Sequence, residues 1–192
     1  GQLLAAGANA RLGQGQWLVA EADESDGSFL RLNPLISIVT NIDADHLENY
    51  GNDFERVKAA FAEFLQRLPF YGLAVLCIDD PEVAAIAADT PRHVMSYGFA
   101  EHADVRAEDV EQEGGRMHFT LRLPEDASIR VSLALPGRHN IANALAAASM
   151  ALAAGLDIEQ IRAGLQAATP VAGRGVARRL ANGAELIDDS YN

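Results

Sequence analysis

"LISIVTNIDADHLENYGNDFERVKAAFAEFLQRLPFYGLAVLCIDDP", residues 35–81, carries two hydrophobic periods in alternation. Leu35–Ile42 and Leu73–Ile78 are short, continuous apolar runs, the pattern of strands buried on both faces. Between them, Phe54, Val57, Phe61, Phe64, Leu65 and Leu68 fall on one face of a helix predicted over Asn52–Leu68, with Asn52 and Glu55 in capping-box spacing. Asp80 then reads as an N-cap and Pro81 as a first helical residue. Strand, helix, strand, helix is the order of a parallel α/β sheet flanked by helices.

Working outward, Trp17–Ala22 reads as another buried strand on the amino-terminal side. A short helix to about Asp89 and a strand near His93–Tyr97 extend the alternation on the carboxyl-terminal side. The pattern then changes to period two. Met117, Phe119, Leu121 and Leu123 alternate with polar residues, as do Ile129, Val131, Leu133 and Leu135, which predicts a small antiparallel sheet with turns at Glu113–Gly115 and Pro124–Asp126. An alanine-rich helix is predicted from about Asn140 to Ala154, closed by Gly155, and another from a box of Asp157 and Gln160. Residues 169–183 read as a linker, and Ala184–Asp189 as a strand with no partner in the remaining sequence.

The chain has 192 residues, 49% of them hydrophobic, and a formal net charge of −12. That composition suits a globular core and opposes binding to nucleic acid or to an anionic membrane. One cysteine, Cys77, rules out an internal disulfide framework and suits a reducing, cytoplasmic setting. No apolar run approaches a membrane span.

Four places could carry chemistry. The first is "EADESD", residues 21–26, where Asp23, Glu24 and Asp26 suit a helix N-terminus, while Glu21 ends a predicted strand at the edge where open α/β sheets bind ligands. The second is "NIDADH", residues 41–46. His46 is either a satisfied structural group or a ligand, and an imidazole beside a carboxylate on one edge suits Mg²⁺ or Mn²⁺ on a nucleotide better than a closed zinc site. The third is "PGRHNIAN", residues 136–143. Asn140 and Asn143 share the first turn of a helix, either as caps or as amides matching an adenine edge. The fourth is the tail, where Arg174, Arg178 and Arg179 could reach phosphate or form a solvated face, and Asp188 and Asp189 could meet a ribose or sit in a plain turn.

"EADESDGSFL", "IVTNIDADHLENYG", "LPFYGLAVLCIDDP" and "LPGRHNIANALAA" resemble, in that order, the motifs of the Mur ligases of peptidoglycan synthesis, over roughly residues 1–168. The branch it resembles best joins L-alanine to UDP-N-acetylmuramate. The resemblance implies a central ATP-binding domain over 1–168, and a linker with the first strand of a C-terminal domain over 169–192. It implies ATP and Mg²⁺ as cofactors, with Glu21 and His46 as metal-binding and catalytic residues. Asn140 and Asn143 would then serve adenine, Arg174 a phosphate and Asp189 the ribose, with Arg178 and Asp188 as near competitors. ATP would phosphorylate the substrate carboxylate, and the amine would displace phosphate from the acyl phosphate.

Three departures from the family pattern stand out. Nothing in the 192 residues fits G-x-x-x-x-G-K-[ST], so the chain alone is expected to be inactive. Most of the family's C-terminal domain is expected beyond Asn192. The tail is more similar to the branch that adds D-alanyl-D-alanine. One feature of the resemblance favours the alanine-adding branch: the position aligned with a carbamylated lysine of several sister ligases is Phe61, which cannot bind metal. A peptide-attaching recycling ligase and a non-catalytic nucleotide-binding module are the alternative readings. With its first strands missing, the sheet is expected to expose an edge and to favour a homodimer or strand exchange.

Overall fold

The computed structural model describes residues 10–170, 176–179, 181–188 and 190. Its frame is the strand–helix alternation around residues 35–98. Strands β1 (Ile36–Val39), β2 (Leu73–Cys77) and β3 (His93–Gly98) run parallel, in register Ile38–Val75–Met95. Helices α1 (Phe54–Gln66) and α2 (Pro81–Asp89) make the crossovers that parallel pairing requires.

Residue alternation along β2 distributes the core. Ala74 and Leu76 face Val57 and Leu65 of α1 and Val83 of α2. Val75 and Cys77 face the opposite layer, where Ile141, Ala144, Leu145 and Ala148 of helix α3 (Arg138–Ala153) are buried. Alanine at the helix–sheet contact lets α3 approach closely, which accounts for its composition. Helix α4 (Ile158–Gln166) covers the far end of the same face through Ile161 and Leu165. Asp80 caps α2 by accepting from the Val83 N–H, and Asp157 and Gln160 close the expected capping box on α4.

The antiparallel strands do not form a separate small sheet. A strand absent from the sequence reading, β4 (Val105–Glu113), joins β5 (Arg116–Arg122) and β6 (Ser128–Leu133) to the parallel strands in one six-stranded sheet, ordered β1 to β6. β4 pairs in parallel with β3 only at Tyr97–Val105 and Gly98–Arg106, so the β4–β6 part extends past the carboxyl edge of the parallel strands. The short link between them is fixed by Asp104, whose carboxylate accepts from both the backbone N–H and the hydroxyl of Ser96.

Four further expectations are corrected. Trp17–Ala22 is not a strand: Leu18 and Val19 are 92% and 77% exposed, and the segment pairs with no strand among the described residues. A strand buried on both faces needs a ladder partner, and among the described residues β1, the edge of the sheet, pairs only with β2. Asn52 does not cap α1. It sits at φ 56° and donates to the Leu47 carbonyl, while Asp53 is the cap and accepts from Glu55. Asp23, Glu24 and Asp26 do not cap an α-helix: the next element is a single 3-10 turn, Ser28–Arg31, with Gly27 at its N-cap. In the tail, the expected strand has a partner: β7 (Val176–Arg179) and β8 (Glu185–Asp188) form an antiparallel hairpin, with Gly183 at φ 85° in the turn.

Candidate active site

The carboxyl edge of β1 leads into residues 40–46. Ile42 is buried and anchors the exit. His46 then adopts φ 51°, ψ 30°, the left-handed region, and starts a 3-10 turn over Leu47–Tyr50. This conformation holds its half-exposed imidazole between two carboxylates. Nε2 lies 3.9 Å from Asp45 and Nδ1 3.9 Å from Glu48.

The acidic loop 21–28 folds onto that turn. Asp23 accepts from the Ser25 N–H at 2.9 Å and Asp26 from the Ser28 N–H at 2.8 Å. These serine hydrogen bonds hold both carboxyls below the ordinary aspartate range, and the nearby charge of His46 adds a smaller effect in the same direction at Asp23. Two bonds then stitch the loop to the turn after His46. The Asn49 amide donates to the Ser25 carbonyl at 2.8 Å, and the Tyr50 hydroxyl donates to the Glu24 carbonyl. Burial pushes the Tyr50 phenol up, and the charges of Glu24, Asp26 and Asp23 push it further in the same direction.

Phe29 anchors the loop from below. It is 2% exposed, with its ring centroid 5.3 Å from that of Phe61 and 5.1 Å from that of Phe64 on α1. Phe61 thus supports the acidic loop by packing. Glu21 is exposed and lies on irregular chain three residues before the stitched Glu24, as a loop residue and not as the end of a strand. His46 likewise precedes the stitched Asn49 by three residues. Three residues of chain span at most about 10 Å.

The carboxyl ends of β2 and β3 meet the start of α3 along the same edge. Asp79, just past β2, accepts from the backbone N–H groups of Phe99 and Ala100, just past β3. The Phe99 ring carries the Arg138 guanidinium 3.9 Å from its centroid. Arg138 opens α3, and no acidic residue lies in that helix's first turn. Asn140 donates its amide nitrogen to the Pro136 carbonyl at 2.7 Å, and Asn143, one turn on, is exposed. Neither caps the helix, whose N-cap is Gly137 at φ 94°.

Of the tail residues, Arg174 and Asp189 lie outside the described residues. Asp188, the competitor of Asp189, accepts from the Ser190 hydroxyl at 2.7 Å. Asn49, Tyr50, Asp79 and Phe99 were not singled out from sequence. Asn49 and Tyr50 stood in plain view beside His46 in "DHLENYG", but nothing local reveals that they reach residues 24 and 25. Among the described residues, no group of three or more His, Cys, Asp or Glu side chains is arranged to hold a metal alone. No helix of the described residues is long and apolar enough to cross a membrane.

A family model described as Mur ligase middle domain matches residues 8–151. A UDP-N-acetylmuramate–L-alanine ligase of Xanthomonas campestris pv. campestris (strain B100) is 75% identical over 166 residues, which is 86% of this chain and 35% of the relative. The ligase of the same name from Stenotrophomonas maltophilia (strain K279a) is 76% identical over the same shares. The chain therefore spans about a third of the length of the curated relatives it matches. Among solved structures, MurF from Acinetobacter baumannii superposes with a TM-score of 0.75 at 31% identity, over 89% of this chain and 37% of that one. The UDP-N-acetylmuramate-alanine ligase MurC of Thermotoga maritima shares the fold, with a TM-score of 0.73 at 24% identity over 87% of this chain and 37% of that one. With three quarters of its length matched by the middle-domain model, the chain belongs to the Mur ligase family.

Proposed function

We propose that this chain is the larger part of the ATP-binding domain of a cytoplasmic ligase that joins L-alanine to the carboxylate of UDP-N-acetylmuramate. Residues 1–168 belong to that domain in this reading, and 169–192 lead into the next. The observation that carries it is the stitching of the acidic loop to the turn after His46, at the carboxyl edge of a parallel sheet. That edge is where open α/β folds bind ligands. The identity to alanine-adding relatives supports the choice of amino acid.

The donor set fits Mg²⁺ held mainly by phosphate and water. Such ions take one or two protein carboxylates and complete their shell from the nucleotide, so a closed cluster of three or more side chains is not required. Glu21 and His46 would hold it, and the ion would neutralise the phosphates during phosphoryl transfer to the substrate carboxylate. The protein's own contribution is placement. The Tyr50 and Asn49 bonds fix the loop after Glu21, and the left-handed backbone at His46 aims the imidazole.

Asn140 and Asn143 would read adenine. The Pro136 carbonyl can only accept, so the Asn140 nitrogen faces it and Oδ1 is left to accept a hydrogen bond. The exocyclic amine of adenine donates one; guanine presents an acceptor there and is disfavoured. Arg174 and Asp189 would meet phosphate and ribose.

A coupled assay of ADP release tests the reaction. The full-length protein carrying this segment is expected to turn over with UDP-N-acetylmuramate and L-alanine. The 192 residues alone, which contain no Gly-Lys-Thr phosphate loop, are expected to show none. Activity with another amino acid in place of L-alanine, and none with L-alanine, contradicts the assignment.

A further inference from the structure

We infer that Asp79 is a positioning residue for the nucleotide, acting through Phe99 and Arg138 on the first turn of α3; the inference rests on the reading that Asn140 receives adenine. Asp79 is not a helix cap, because its neighbour Asp80 fills that role for α2. It reaches across to the next strand instead. Its two carboxylate oxygens lie 3.0 and 2.8 Å from the Phe99 nitrogen, and one lies 3.2 Å from the Ala100 nitrogen.

Gly98 makes this possible. A Cβ there would lie 2.6 to 2.7 Å from the carboxylate atoms of Asp79, so the carboxylate occupies the space a side chain would need. The chain leaving β3 is thereby turned, and Phe99 is set against the core with the Arg138 guanidinium on its ring. A cation at a helix N-terminus opposes the helix dipole, and no carboxylate among the described residues forms an ion pair with Arg138. The ring contact is the interaction that holds it there. Arg138 lies two residues from Pro136 and two from Asn140, the pair whose hydrogen bond orients the adenine-reading amide. Asp79 therefore sets the direction of that amide without touching the nucleotide.

The test uses steady-state kinetics of the full-length ligase carrying this segment, with ATP and GTP varied separately, and a melting curve for each variant. Asp79→Ala is expected to raise KM for ATP about tenfold, roughly the factor of one charge-assisted hydrogen bond, and to reduce the preference for ATP over GTP. KM for L-alanine is expected to stay unchanged. Asp79→Asn, which keeps one acceptor oxygen, is expected to show a smaller effect. Gly98→Ala, which keeps the charge but takes its space, is expected to reproduce Asp79→Ala. If Asp79→Ala does not fold, Asp79→Asn and the surface change Arg138→Gln carry the test.

A lowered melting temperature with unchanged KM for ATP and unchanged nucleotide preference would make Asp79 merely structural and overturn the inference. Asn140→Ala separates the two levels. If it raises KM for ATP while the Asp79 and Gly98 variants do not, the inference fails and the adenine reading stands. If it leaves KM for ATP unchanged, both fall.

Discussion

Replacing Tyr50 with Phe removes one oxygen and, with it, one of the two bonds that tie the acidic loop to the turn after His46. The ring stays, so its packing beside Phe61 and Phe29 is retained. A neutral hydrogen bond contributes about 1 kcal/mol net, and the Glu24 carbonyl, on an exposed residue, regains water when the phenol is gone. A loss of about 1 kcal/mol lowers the ratio of stitched to released loop about fivefold. Asn49→Ala removes the second stitch, and the pair together is expected to cost about 2 kcal/mol, or roughly thirtyfold, if the two bonds act on the same loop. The assay is KM for MgATP in the full-length ligase, read beside amide exchange at Ser25 and Ser28. Tyr50→Phe is expected to raise KM by up to about fivefold and the double variant by up to about thirtyfold, with KM for L-alanine unmoved. Faster exchange in the double variant with an unchanged KM for MgATP would refute the link between the stitch and the nucleotide.

Four other outcomes are expected. Phe29→Ala empties the space between Phe61 and Phe64 and should lower unfolding stability by about 3 kcal/mol in urea titration; a loss below about 1 kcal/mol would mean the loop is not anchored there. Burial pushes the Cys77 thiol up, so a thiol reagent at neutral pH should label it slowly until denaturant is added, and rapid labelling of the folded chain contradicts this placement. Asp23 and Asp26 have lowered carboxyl pKa values because the folded loop favours their charged forms. Their contribution to loop order is therefore present above the ordinary value of 3.8 and lost as pH falls below it. Amide exchange at Ser25 and Ser28 should rise only in that acid range, and a rise beginning near neutrality counts against it. Among the described residues β1 is an edge strand, and Leu35, Phe70 and Tyr71 are exposed, so sedimentation of the 192 residues should show dimers; a stable monomer at high concentration argues otherwise.

The parallel frame was legible because its residues obey one period at a time. "LAVLCI" is apolar at every position, as a central strand must be, and α1 keeps its stripe from Val57 to Leu65. β4 was not legible. Its sequence, "VRAEDVEQE", buries only Val105 and Ala107, and a register shift between Glu108 and Glu111, with Asp109 at φ 49°, breaks the alternation. Trp17–Ala20 failed in the opposite way: local apolarity suggested a strand, but a strand is defined by its neighbours. At the site, His46 and the two asparagines could be picked out because their types and spacing are chemically suggestive. The stitches were hidden. An asparagine or a tyrosine in a short turn gives no sign that its partner lies some two dozen residues away. Asp79 was masked by Asp80, whose capping role accounted for the pair of acids.

The most direct test is a crystal structure of the full-length ligase with Mn²⁺ and a non-hydrolysable ATP analogue, read by the anomalous signal of the metal. The expected result is metal density at the nucleotide phosphates, about 2 Å from a carboxylate oxygen of Glu21 and from an imidazole nitrogen of His46. Metal bound at the phosphates with neither side chain in its shell, and with the acidic loop turned away from Asn49 and Tyr50, is the contradicting result.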